Sequence, residues 1–127
     1  MLDIVSFETA KRLKEAGFPQ PELRDGQAWY WKHGDPYFLY YHSSVHALLS
    51  PIGWAHAGKR ILSKERRDIF FSETAYAPTA TDILRELPGA NLRWNGSTFF
   101  CKYRGETESQ NPAEALAQMW LKIFANA

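Results

Sequence analysis

The stretch NLRWNGSTFFCKYR, Asn91 to Arg104, decides the fold class. Asn95-Gly96 is a strong two-residue hairpin signal, because both central positions of a type I′ turn need a positive φ. Pairing outward from it puts Leu92, Trp94, Phe99, Cys101 and Tyr103 on one face. Arg93, Thr98, Lys102 and Arg104 fall on the other, so turn and alternation agree on an antiparallel pair with one apolar face. That face needs a cover, and the next periodic segment supplies one. In NPAEALAQMWLKIFA, Asn111 to Ala125, Asn111 is placed to cap a helix, Pro112 takes its first position and Glu114 completes a capping box. Leu116, Met119, Trp120 and Ile123 recur at i, i+3, i+4 and i+7, an apolar stripe suited to the centre of the core. Glu106 and Glu108, between hairpin and helix, read as a solvated turn.

Upstream, PTATDILRELPG carries a second helix: Thr79 and Asp82 have capping-box spacing, Ile83, Leu84 and Leu87 form the stripe, and Pro88-Gly89 end it. The N-terminal SFETAKRLKEAGFP reads as a third. Ser6 caps, Glu8 lies in the first turn where the dipole favours it, and Phe7, Ala10 and Leu13 share a face. Gly17 at the left-handed C′ position, with Phe18 folding back on Leu13, predicts a Schellman stop before Pro19. Between these helices, QAWYWK and YFLYYH are β-rich runs around His33-Gly34-Asp35-Pro36. With those four residues as the loop, Trp29, Trp31, Phe38 and Tyr40 share one face, and Tyr30, Tyr37, Leu39 and Tyr41 the other. Neither face is polar, so each must be packed or offered to a partner. VHALL and RDIFF read as short strands flanking a long, exposed, basic connection. The order helix, hairpin, irregular strands, helix, hairpin, helix predicts one α+β domain over residues 1–127, an antiparallel sheet of hairpins with three helices packed mainly on one face.

Composition sets outer limits on function. A chain of 127 residues buries enough surface to fold without a metal or disulfide. Lys plus Arg number 15 and Asp plus Glu 14, so no global field steers it to nucleic acid or to an anionic membrane. The single Cys101 cannot form an intramolecular disulfide, which fits a reducing cytosol. The N-terminal MLDIVSFETAKRL lacks the pattern of a signal peptide, and no apolar run of membrane-spanning length occurs. The expectation is a soluble, cytoplasmic protein that binds no membrane.

Motifs for chemistry are few. Gly53, four residues, then Gly58-Lys59 imitates a phosphate-binding loop, but Arg60 stands where a hydroxyl should hold Mg²⁺. Such a loop also needs a buried parallel strand before it and a helix after it, and Ser50-Pro51 precedes this one. A flexible basic loop is the better reading. His42 and His46 have helical metal-ligand spacing, yet they follow a strand and include β-branched Val45, so no metal site is expected. Cys101 alternates with Phe99 and Tyr103 on the core face, the place of a structural thiol. No catalytic constellation and no cofactor is expected.

What remains is an excess of aromatics, 15% of residues, beside a local concentration of base. Trp31 and Tyr37 on the first hairpin, with Trp54, Arg60, Arg66 and Arg67 from the long connection, are the candidate binding residues. Trp, Tyr and Arg are the anchors of protein interfaces, so a protein partner is the first expectation. The same residues could stack unpaired bases and hold their phosphates, which makes single-stranded nucleic acid the alternative. A homo-oligomer through an open aromatic edge, or a small-ligand pocket with an unrecognised activity, are further alternatives.

Three segments, SFETAKRLKEAGFPQP, YAPTATDILRELPG and NPAEALAQMWLKI, resemble short uncharacterised proteins of bacteria, especially the Bacteroidetes, and of their phages and prophages. The resemblance covers the outer elements and leaves residues 42–70 unmatched. It implies a possible phage or mobile-element origin and carries over no activity, cofactor or site residue.

Overall fold

The computed structural model describes residues 4–22, 26–31, 34, 36–42, 45–49, 60–61, 72 and 74–125, with 36–42, 45–49 and 60–61 described by their backbone. The chain is α+β, with three helices and two antiparallel sheets among the described residues. It divides into two compact units, one formed by Met1–Phe18 with Pro78–Ala127 and the other by Pro19–Ala77.

In the first unit, helix α1 (Phe7–Glu15) begins at Ser6, whose hydroxyl accepts the Thr9 N–H. It ends as its sequence demands: the Phe18 N–H donates to the Leu13 carbonyl at 2.8 Å and the Gly17 N–H to Lys14 at 3.1 Å. Gly17 has φ 92°, and Phe18 and Leu13 are both buried. These bonds are those of a Schellman motif. Helix α2 (Ala80–Arg85) carries a complete capping box between Thr79 and Asp82. Helix α3 (Pro112–Phe124) is capped by Asn111, whose side chain accepts from the N–H groups of Ala113 and Glu114.

Glu114 departs from expectation. Its carboxylate does not close a box on its own helix but crosses to α1, accepting the Ser6 N–H and, at 2.8 Å, the Thr9 hydroxyl. One negative charge therefore serves the positive ends of two helix dipoles. Asn111 reinforces the junction, donating through Nδ2 to the Ile4 carbonyl.

Strands β6 (Asn91–Trp94), β7 (Phe99–Lys102) and β8 (Glu106–Ser109) form a three-stranded sheet in that order. Its pairing differs from the simple hairpin. Trp94 lies opposite Phe99 and Leu92 opposite Cys101, leaving four residues in the loop. The cause is Asn95, whose side-chain oxygen accepts the N–H groups of Ser97 and Thr98 and so builds an Asx turn, while its own N–H donates to the Thr98 carbonyl. The register moves by two residues, and a shift of two leaves every side chain on its original face. Glu106 and Glu108 belong to a strand and not to a turn: they alternate outward while Thr107 and Ser109 turn inward. Helix α3 packs against α1, α2, β7 and β8. Leu116, Met119, Trp120 and Leu121 are buried on it, and Trp120 meets Phe18 edge to face at 5.1 Å.

The second unit holds a five-stranded antiparallel sheet. Its strands are β1 (Ala28–Trp31), β2 (Pro36–His42), β3 (Val45–Leu49), β4 (Arg60–Ile61) and β5 (Thr74–Tyr76), in the spatial order β4-β3-β2-β1-β5. The β1–β2 register places Trp29 opposite Tyr37 and Tyr30 opposite Pro36, three residues away from the pairing of a four-residue loop. The Trp31 carbonyl accepts the Gly34 N–H at 2.8 Å with Gly34 at φ 93°, so the turn begins at Trp31 itself. Pro36, which has no N–H to give, is accommodated as the first residue of its strand. An odd shift reverses the facing: position 37 now falls on the side of positions 29 and 31, not opposite to it. Ala28, Trp29 and Tyr30 are all buried, so both faces of β1 are covered. VHALL is a strand as expected, RDIFF lies outside the described residues, and β5, which pairs with β1, went unforeseen.

Candidate functional site

The six residues singled out from sequence do not form a described cluster. Trp31 ends β1 opposite Thr74 and is half-buried. Tyr37 lies in β2 opposite Trp29, and Arg60 in β4 opposite Ala47. Trp54, Arg66 and Arg67 lie outside the described residues. Trp29, their neighbour, is a core residue. It is 1% exposed, its ring lies 5.2 Å from that of Tyr76, and its Nε1 donates to Gln27 at 3.1 Å.

The positions that imitated ligand sites are placed just as plainly. Arg60, directly after Gly58-Lys59, enters an antiparallel strand and not the helix whose first turn a phosphate loop must offer. His42 and His46 lie on adjacent strands, opposite Val45 and Tyr41 respectively, so their four-residue spacing is not a helical turn. Among the described residues no group of three His, Cys, Asp or Glu converges as metal ligands would. Cys101 is fully buried, and burial pushes its thiol above the ordinary value against the opposing effect of a hydrogen bond with Thr107. Such a thiol is a poor nucleophile at neutral pH.

A different surface emerges, on the hairpin that decides the fold. Trp94 shares the apolar face of the three-stranded sheet with Leu92, Phe99 and Cys101, yet it is 55% exposed. Its ring rests against half-buried Phe99, with centroids 4.8 Å apart and planes inclined by 52°. The exposure has a structural origin: α3 packs over β7 and β8, while Trp94 stands at the loop end of β6. Alternation reports which face a residue occupies but not how far the covering helix reaches. That is why the sequence pattern assigns Trp94 to the apolar face and does not reveal its exposure.

The opposite face of the same sheet is polar and mixed in sign. Asn91, Lys102 and Glu106 form one row across the three strands, and Arg93, Phe100 and Glu108 the next. Two carboxylates, Glu106 and Glu108, thus share this face of the strands with Arg93 and Lys102. Arg93 Nε is held by Asn91 at 3.3 Å, and Thr98 donates its hydroxyl to Glu108. An open depression of about 470 Å³ over this region is lined by Asn95, Phe100, Glu106, Thr107 and Glu108. A second exposed aromatic, Phe124, stacks on Trp120 at the last turn of α3. Among the described residues no helix is long and apolar enough to cross a membrane. Comparison of the chain with protein-family models, with curated proteins and with solved structures gives no match.

Proposed function

We propose that the chain is a small, non-enzymatic interaction module that binds a protein partner, with Trp94 and Phe99 as its anchor. The supporting observation is the exposure of Trp94 over a half-buried aromatic neighbour. A large ring held by a second ring presents apolar area at little entropic cost, which is the character of an interface hot spot. The mixed charge of the reverse face favours a protein over a nucleic acid. The buried, unpaired Cys101 supports a cytosolic setting within this reading, and a bacterial or phage origin belongs to the same proposal.

The test compares wild type with Trp94→Ala in affinity capture from the cells that carry the protein, with nuclease added. The exposed position allows the substitution without opening the core. A protein retained by wild type and bound about 30-fold more weakly by Trp94→Ala is the expected result, since truncating an aromatic anchor costs about 2 kcal/mol or more. Identical capture by both forms, or capture abolished by nuclease alone, overturns the proposal.

A further inference from the structure

We infer that the chain self-associates by pairing β6 edge to edge with β6 of a second copy. The inference deepens the interaction reading and rests on the same exposed Trp94. Its starting point is the direction of the backbone bonds. The Asn95 N–H donates to the Thr98 carbonyl, and that bond fixes the phase of the β6–β7 ladder. Hydrogen-bonded pairs in an antiparallel ladder alternate with non-bonded ones, so Arg93 with Phe100 and Asn91 with Lys102 are bonded, and Leu92 and Trp94 are not. On the other side of β7, the Tyr103 N–H donates to the Gly105 carbonyl, which gives the complementary phase to β8. Leu92 and Trp94 therefore turn their N–H and C=O groups away from the sheet, along an edge that no other described strand occupies.

Two other edges in the molecule are guarded. On β5, the Tyr76 N–H is taken by the Gln20 side chain at 3.0 Å. On β8, the outward-directed positions are Glu106 and Glu108, whose charges oppose strand addition. On β6 the corresponding positions carry Leu and Trp.

The edge also complements itself. In the two-fold register that sets Leu92 opposite the partner's Leu92, the two exchange a reciprocal pair of main-chain bonds. Each Trp94 N–H then meets the carbonyl of the partner's Ala90; the Ala90 N–H is already given to Leu87 at 2.9 Å and is not needed. Arg93 falls opposite the partner's Asn91, so like charges do not meet. Trp94 lies over the small Ala90 of the partner. Shifting the pairing by two residues, so that Leu92 faces the partner's Trp94, would set Arg93 directly against its own copy, a destabilising pair.

Sedimentation equilibrium and oxidative cross-linking test this. Wild type should move from 14.6 kDa toward twice that mass as concentration rises to about 1 mM, as expected of a small interface. Leu92→Pro removes the outward N–H without touching the β7 ladder, and Trp94→Lys guards the edge with charge; both should stay monomeric with native circular dichroism. In a Cys101→Ala background, chosen because Cys101 faces Leu92, Leu92→Cys should cross-link two copies and Arg93→Cys should not. A mass that stays at 14.6 kDa throughout overturns the inference, as does a dimer that survives both edge variants. If self-association fails while Trp94→Ala still loses a captured partner, the interaction reading stands and only the occupant of the edge changes.

Discussion

At the scale of single residues, Cys101 and Glu114 show how far side-chain identity can be read. The alternation of Phe99, Cys101 and Tyr103 marked the thiol as a core group, and it is fully buried opposite Leu92 and Thr107. The role of Glu114 was not legible in the same way. Its spacing from Asn111 suits a local box, and only the tertiary approach of α1 supplies the Ser6 and Thr9 donors that take it instead. Burial of Cys101 has a consequence for pH. Its folded-state pKa is raised, so the stability it contributes is complete below the unfolded value of about 8.5 and is lost as pH climbs through the folded value. The melting temperature of wild type should therefore fall more steeply above about pH 8.5 than that of Cys101→Ala. Lys14, lowered by burial, acts with the opposite sign, but it is common to both proteins and cancels from the difference. Parallel curves from pH 7 upward would show that the thiol is not desolvated.

Elements were legible where their ends are written in local chemistry. The Ser6, Thr79 and Asn111 caps and the Gly17 stop each need only a few neighbouring residues, and all are in place. Strand registers were less legible, because a turn side chain or an early main-chain bond can move them. Asn95 displaced one register by two residues and kept the faces, whereas the Trp31–Gly34 bond displaced another by three and exchanged them. Strands β5 and β8 were missed for a related reason: Thr-Ala-Tyr and Glu-Thr-Glu-Ser have little apolar alternation of their own and are strands because a neighbour offers them a ladder. The Schellman stop gives the sharpest test at this scale. Gly17 has φ 92° with nothing close to an added Cβ, so Gly17→Ala is penalised by backbone strain and not by a clash. It should cost about 1–2 kcal/mol, read as a lower midpoint in urea at unchanged slope. No loss of stability would mean that the stop at Phe18 does not depend on the left-handed residue.

For the whole molecule, the α+β class followed from the alternation of capped helices and hairpins, but the grouping of elements did not. Sequence order places α1 beside the first hairpin, whereas compactness places it with α2, α3 and the second hairpin. Nothing local announces this. The boundaries fall at Phe18-Pro19 and Ala77-Pro78, and proline occurs seven times in the chain. The candidate site suffered from the same limit: Trp31, Tyr37 and Arg60 were linked by composition, while the exposed Trp94 depends on how far α3 extends over its sheet. The grouping makes a strong prediction. Within the first unit, Val5, Leu13 and Phe18 from the N-terminal segment share burial with Ile83, Leu87, Cys101, Leu116, Met119 and Trp120. The segments are tied by the Glu114 bonds, the Asn111 bond to Ile4, the Ile4–Thr79 bridge and the Val5 N–H to Pro78 carbonyl at 3.4 Å. A protein of roughly 70 residues in which a flexible Gly/Ser linker replaces residues 19–77 is within the size range of independently folding domains. It should show helical circular dichroism and a single cooperative thermal transition, with Cys101 unreactive to thiol reagents until it melts. Free reactivity of Cys101 at low temperature would mean that the α3 core closes only in the presence of residues 19–77, and the two compact units would then be one cooperative structure.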